Sequence, residues 1–574
     1  MDSIQHSIQQ ERRSLLSSSS LVNHASCNFS KCFSNYRKEL RTRSLNMPSI
    51  LLLIFALSIA VCHSIFDSIF KHLSGTQNDK YDPSSYSKKI SDIGIVIGIV
   101  IGNAFYLFVP FCGWLSDTKI GRSNAIYLSL WLGWIGTLLW AIGCCFQYYS
   151  CDTAPIARYA FFITAFVFMF ASMAFMFTNI IAYGIDQLMN ESSIKIRAFI
   201  HWSWLFLYSG NALSVISNKL ITAVVAFFLF SISLCLHFFL KDHFEHIPIP
   251  DSYRIVFKVL KFFIQNNRRQ QRSAFTYWGE EPSRMDLAKE RYGGSFTHEE
   301  VENVKTFLRI IAVLVTVFPI CISNTPYLFN SSNFVAQFKN GTDDLHGHVQ
   351  DSIWLLGNFS PLIILVPLFE LVVLPLFPKL EYFLTNPLKG IGIANILFII
   401  SILSTFFIDL VGRSFKNSDM PCFFTWKPES VHETIQISYW ILLIPSVVAG
   451  TSLALLWICV LEFICSQTPF GMHGMIIGLF WFLHGVYADI GMAITYYAIP
   501  PISFMSCTSW FSFIFGVIAV FGLVVYVLVA RWYVKRIRDT DLGLRAAVEE
   551  QWEKRLIQKN TFKENETDDE DFSI

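Results

Sequence analysis

Charge is what this sequence is short of. Only 15% of its 574 residues are Asp, Glu, Lys or Arg, against about 25% in a water-soluble domain, while 53% are hydrophobic. That balance excludes a string of ordinary soluble domains. The 44 basic and 43 acidic side chains cancel to a net charge of +1, and without a long basic stripe nothing draws the chain to nucleic acid. The 13 cysteines are scattered singly apart from Cys144-Cys145. With neither a CxxC pair nor an even disulfide framework they read as small membrane hydrophobes, and no metal ion or other cofactor is called for. A cleavable signal peptide is also missing: the N-terminal stretch is polar, Ser-rich and basic up to the first long apolar run near Pro48, which is expected to serve as a signal anchor. Paired catalytic carboxylates, a metal-ligand cluster and a nucleophile elbow are lacking too, which argues against a membrane enzyme.

What the sequence has is apolar length. Runs of the roughly 20 residues needed to cross about 30 Å of hydrocarbon fall near 48–70, 91–114, 124–147, 159–184, 198–217 and 220–240, and again near 306–328, 352–377, 389–411, 435–463, 474–498 and 509–534. An all-α membrane protein of twelve transmembrane helices is expected. Its parts are a tail over 1–47, a six-helix half over 48–240, a central loop over 241–305, a second half over 306–534 and a tail over 535–574. Arg37, Lys38, Arg41 and Arg43 precede the first helix, Arg268, Arg269 and Arg272 occupy the central loop, and Arg531, Lys535, Arg536 and Arg538 follow the last. Positive loops face the cytoplasm, so both termini are expected there. The sequons at Asn330 and Asn340 then fall in an outer loop open to glycosylation, while those at Asn28, Asn190 and Asn565 stay inside. Glu11-Arg-Arg-Ser-Leu15-Leu16 fits an acidic dileucine signal that sorting adaptors read on a flexible tail, so endosomal or lysosomal membranes stand beside the plasma membrane as destinations. The acidic end from Glu564 to Asp571 reads as solvated and disordered.

Several segments carry more. Between the second and third runs stands Gly113-Trp-Leu-Ser-Asp117-Thr-Lys-Ile-Gly121-Arg122, where glycines permit a tight turn and Asp117 can cap a helix or pair with a base. Tyr183-Gly-Ile-Asp186-Gln187 ends the fourth run and Phe199 to Trp202 opens the fifth. The central loop holds Arg272-Ser-Ala-Phe-Thr-Tyr-Trp278 and Lys289-Glu-Arg-Tyr-Gly293-Gly294-Ser-Phe-Thr, then Val301-Glu-Asn-Val-Lys305-Thr-Phe-Leu-Arg309. Val366-Pro367-Leu-Phe-Glu370, Leu461-Glu462-Phe463 and Ser466-Gln467-Thr-Pro469 follow. Together, over about residues 90 to 530, these resemble the proton-dependent oligopeptide transporter family of the major facilitator superfamily, with the peptide and histidine branch of solute carrier family 15 as the nearest group. The resemblance implies two six-helix halves rocking about a midplane site, alternating access, and proton-coupled movement of small peptides, amino acids or another polar solute. It casts Gly113, Asp117, Gly121, Arg122, Asp186, Glu370 and Glu462 as gate or structural residues.

The chain also departs from that family. The Glu-x-x-Glu-Arg signature of helix one falls where this sequence reads Ala60-Val-Cys62-His63-Ser64. The family's helix-four Lys falls at Phe177, its helix-ten Glu at Leu453 and its helix-five Asn at about Tyr208, although Asn179 matches. Losing several buried charges together is coherent, because removing one partner alone strands the other. Ionisable residues within the spans are the candidates for a rebuilt substrate and coupling site. His63 and Asp67 share a helix face, His63 being able to titrate near neutral pH, unless Asp67 merely marks the outer interface. His484 and Asp489 lie on diverging faces of helix eleven and either face the cavity or satisfy neighbouring helices. Trp202, Trp204 and Tyr208 either wall a cavity or pack. Three functions stay open: a carrier of peptides or amino acids, a carrier of a different polar solute, and a transport-inactive relative acting as scaffold or solute sensor.

Overall fold

A backbone in hydrocarbon has only itself to bond to, and the apolar runs accordingly fold as helices in a computed structural model. The structure describes residues 29–73, 104–148, 155–188, 191–210, 219–244, 252–265, 283–290, 293–317, 338–339, 360–377, 386–414, 435–469, 471–494 and 512–534, with a few isolated positions between them. The helices of the first half are α1 (Phe29–Thr42), α2 (Met47–Leu73), α3 (104–115), α4 (Arg122–Tyr148), α5 (Pro155–Asp186), α6 (Ser193–Ser209) and α7 (Lys219–Phe239). After α8 (Ser252–Gln265) the second half holds α9 (His298–Val315), α10 (Ser360–Leu376), α11 (Pro387–Ser414), α12 (Leu443–Gln467), α13 (His473–Ala493) and α14 (Ser512–Val534). A described helix thus falls within each of the twelve predicted runs. Seven are by themselves long and apolar enough to cross a membrane, or eight if α1 and α2, bent by 74° at their junction, count as one span. The adaptor signal at Glu11, Leu15 and Leu16 and the sequons at Asn330 and Asn340 lie outside the described residues.

Lipid tails offer no hydrophobic drive for helices to associate, so small residues and hydroxyls mark the contacts. In the first half Gly136 lies against Met169 and Gly143 against Phe162, and Ser129 and Ser172 each donate to the other's carbonyl at 2.7 and 2.8 Å. The second half repeats the device between α11 and α12: Gly390 meets Cys459, and Ser452 and Ser401 donate to the carbonyls of Ala394 and Pro445 at 2.7 and 2.6 Å. Outward faces stay apolar, as at Leu107, Phe228, Phe239, Phe521 and Leu528.

Two helix starts differ from the hydropathy reading. α9 begins at His298, ahead of the run near 306, because Thr297 and Glu300 form a capping box: Glu300 N–H donates to Thr297 Oγ1 at 3.3 Å and Thr297 N–H to Glu300 Oε2 at 2.9 Å. Such a cap starts a helix in polar sequence. The run near 435 opens instead on a short strand, β2 (Ile435–Ser438), parallel to β1 (Phe338–Lys339), and a single turn of 3₁₀ helix leads into α12. An apolar run of this length does not distinguish strand from helix.

In front of α9, Lys289 and Lys305 share Asp286 and Glu302 at 2.6 to 2.8 Å. Burial alone would raise both carboxyls, but the hydrogen bonds from the two lysines outweigh it and hold Asp286 and Glu302 below their ordinary values of 3.8 and 4.5. A carboxyl lowered on folding stabilises the fold above its ordinary value and stops doing so as the pH falls through the lowered one. Hydrogen exchange of the amides over 286–296 is therefore expected to be slow at pH 6 and to accelerate markedly, after correction for intrinsic rates, near pH 3. Thr297→Ala is expected to lower stability by about 1 kcal/mol, read from thermal unfolding in detergent.

Candidate functional site

The two halves meet through one apolar seam and two polar ties. Along the seam α13 presents Gly474, Gly478 and Gly485 to α3: a Cβ on Gly113 would lie 2.3 Å from Gly474 O, one on Gly478 would meet Pro110, and one on Gly485 would enter the Tyr106 ring. Only hydrogen at these positions lets the backbones come so close.

The first tie is built on a turn. α3 ends in a wide π turn over Ser116–Ile120, closed by Gly121 N–H to Ser116 O at 3.0 Å, and Gly121 takes φ 84°, a conformation that favours glycine. This turn buries Asp117. Its carboxylate accepts from Arg122 Nε at 2.9 Å, from Tyr253 Oη of α8 at 2.8 Å and from the backbone N–H of Met475 at 3.0 Å. Met475 lies in the first turn of α13, where unbonded N–H groups and the helix dipole favour an anion. Arg122 also binds both oxygens of Asp186 at 2.7 Å. The predicted gate residues Gly113, Asp117, Gly121, Arg122 and Asp186 thus come together, and α8 joins them through Tyr253.

The second tie centres on His201 of α6. Its Nδ1 meets Glu370 Oε1 and its Nε2 meets Glu462 Oε1 at 2.8 Å. Arg197, one turn earlier, reaches Glu462 at 3.3 Å. Arg43, in the bend between α1 and α2, reaches Glu370 Oε2 at 3.6 Å, so a residue read as a topology signal is instead a buried partner. The bend is fixed by Asn46, which accepts from Ser49 N–H and donates to Gln187 O, each at 3.2 Å. Glu370 sits in a π turn, Phe369–Val373, which begins two residues after Pro367, a residue with no N–H to give to the helix ladder. Glu370 and Glu462, predicted to be gate or structural residues, share one histidine.

Above the ties, toward the middle of the helices, lies a cavity of about 130 Å³ walled by Phe105, Tyr106, Phe177, Trp204, Tyr208, Trp457, Trp481 and His484, together with Leu207. α3, α5 and α6 of one half and α12 and α13 of the other supply them. Trp457 stacks on Trp204 and Trp481 with ring centroids 5.2 and 5.1 Å apart, and the His484 ring stands edge-on to Trp457 at 4.8 Å. Among the described residues, no hydrogen-bond partner reaches His484 Nδ1.

The predicted substrate and coupling residues part company. Tyr208 and His484 line the cavity, as does Phe177. Asn179 does not: it accepts from Ser116 Oγ and donates to Phe175 O and Thr178 Oγ1, which fixes the π turn to α5. Asp489, further along α13, is not among the cavity walls. His63 and Asp67 lie on α2 with side chains outside the described residues. Sequence reasoning missed His201, Arg197, Tyr253, Trp457 and Trp481. For His201 a signal existed, an ionisable residue within a long apolar run; for the tryptophans none did.

Comparison with known proteins bears on this arrangement. A family model described as the POT family, PTR2, matches residues 222–510. The chain is 22% identical over 458 residues to Solute carrier family 15 member 3 of Rattus norvegicus, covering 70% of this chain and 77% of that protein. It is 23% identical over 346 residues to Solute carrier family 15 member 5 of Homo sapiens, covering 55% and 58%. The solved structure of an auto-inhibited POT family peptide transporter superposes with a TM-score of 0.55 at 14% identity, covering 86% of this chain and 97% of that one. The POT family transporter PepTSo gives 0.54 at 16% identity, covering 86% and 99%. At these identities the two structures speak for the fold.

Removing a partner from a buried charged network costs about 3–5 kcal/mol. Asp117→Ala leaves Tyr253 Oη and the Met475 amide without their acceptor and Arg122 with Asp186 alone, so it is expected to lose up to about that much and to speed hydrogen exchange at the Met475 amide, whereas Asp117→Asn, still an acceptor, is expected to lose less. Unchanged exchange at Met475 in both variants would remove this tie from the account.

Proposed function

This chain belongs to the POT family, a family of membrane transporters rather than enzymes, and on that premise we propose that it is a secondary active carrier working by alternating access on small peptides or amino acids. The observation that carries the reading is the cavity whose walls come from both halves, with both polar ties at one end of it. Rocking the halves apart at the tied end opens the cavity to that side; rocking them together there frees the other. The basic residues flanking the chain's spans assign the tied end to the cytoplasm, and a proton gradient is the proposed driving force.

The walls also narrow what is carried. Phe177 and Tyr208 stand where the family has Lys and Asn, so the described cavity offers stacked rings and one imidazole in place of charges for peptide termini. Ring stacking is worth about 0.5–1.5 kcal/mol beyond burial, and His484 supplies one hydrogen bond. The solutes best suited are small ones with a flat ring, such as histidine or a dipeptide with an aromatic side chain.

Uptake of labelled histidine and of aromatic and aliphatic dipeptides into vesicles bearing the purified protein tests this, with and without an inward proton gradient. Gradient-driven uptake is expected, with aromatic solutes favoured, and Trp457→Ala is expected to weaken apparent affinity about three- to tenfold, the equivalent of one stacking contact. Folded protein that moves none of these solutes would refute the peptide and amino-acid reading and leave a carrier of a different polar solute, or a scaffold or sensor of this fold.

A further inference from the structure

The second tie divides its charges by half. Arg43, Arg197 and His201 belong to the first half and Glu370 and Glu462 to the second, so the four ionic contacts seen among the described residues cross between the halves. Arg43, His201, Glu370 and Glu462 are buried, His201 being 6% exposed and Glu370 2%, and Arg197 is partly exposed. A cavity of about 280 Å³ between α6, α10 and α12 borders Arg197, His201 and Glu462, and its remaining lining is apolar apart from Thr451.

Counting protons gives the consequence. Each imidazole nitrogen of His201 faces a carboxylate oxygen. An ionised carboxylate only accepts, and a neutral imidazole has one N–H to give. A neutral ring between two carboxylates therefore makes one hydrogen bond and sets a lone pair against an oxygen at the other. Closing the tie with both contacts made requires one more proton, on the ring or on the carboxyl facing it. The facing groups cannot remove that need. Arg197 reaches the same Glu462 oxygen that His201 uses and Arg43 reaches Glu370 Oε2, and both guanidiniums are permanently charged. Among the described residues two guanidiniums balance two carboxylates whether or not the imidazole is charged, which leaves the imidazole as the group whose charge is free to change.

We propose that His201 is the proton-binding residue of the conformational cycle: one proton is bound between His201, Glu370 and Glu462 when this end of the bundle closes, and it is released when the halves part. Release follows from the division of charges. Opening carries both carboxylates away from the ring, the N–H bond that they stabilised breaks, the proton passes to the entering water, and a neutral imidazole stays behind on α6. The inference rests on the alternating-access reading above but not on the identity of the solute.

The test measures the separation of the halves directly. Fluorescent unnatural amino acids replace Ser193, at the start of α6, and Lys389, near the start of α11, in the full-length protein, and energy transfer between them is followed from pH 5 to 8. In the wild type the distance is expected to lengthen as the pH rises, because the closed form holds the extra proton. His201→Gln is expected to lose that response. Glu370→Gln offers an amide donor where the carboxylate only accepted, so it is expected to stay closed across the range. A wild-type distance indifferent to pH overturns the proposal, as does a response in either variant that matches the wild type. Dipeptide uptake in the same vesicles separates the two readings: no flux in a wild type whose distance still titrates sinks the solute assignment alone. Gradient-driven uptake in a protein whose distance ignores pH sinks His201 alone.

Discussion

Charges buried between the two halves set the terms for the rest of this structure. In a medium with little water a buried carboxylate needs its partners in place, and here the charged partners of Glu370 and Glu462 and one of the donors to Asp117, the Met475 amide, stand across the interface. Closure is therefore specified by a few atoms and not by apolar area, which lipid tails would satisfy equally well. The glycine seam of α13 serves the same end, since the Met475 amide reaches Asp117 only because Gly113 and Gly474 let α3 and α13 approach so closely. The π turns at Ser116–Ile120 and Phe369–Val373 place Asp117 and Glu370 at the interface.

The cavity between the halves follows a different logic. Phe177 and Tyr208 both join a stack of three indole rings. Titratable chemistry persists instead at the tied end, where the acids have fixed bases to face. In the cycle proposed here the midplane binds and the tied end closes, with His201 linking closure to protonation.

The helical architecture was legible in the sequence because its causes are local. A run of apolar residues in hydrocarbon has one way to satisfy its backbone, and the Gly113-to-Arg122 segment carries its own turn in Gly121 and its own ion pair in Asp117 and Arg122. Family membership was legible for the same reason, being written in short contiguous segments. Helix starts were less so where polar capping at Thr297 or strand pairing at Ile435 changed what hydropathy suggested.

Contacts between residues far apart in the chain were another matter. Arg43 read as a topology signal, Asn179 as a pocket residue and Glu370 and Glu462 as separate structural acids. Folding made Arg43 a buried partner, engaged Asn179 with Ser116 and brought both acids to one imidazole. His201 and Glu462 are 261 positions apart, and no local pattern records a distance of that kind. The sequence by itself determined that the chain lives in a membrane, that its runs are helices and which family they belong to, since each depends on residues within one or two turns. Which side chains face the cavity, and which charges meet across the halves, was decided only by tertiary packing, because the rotation of each helix about its axis is fixed by its neighbours.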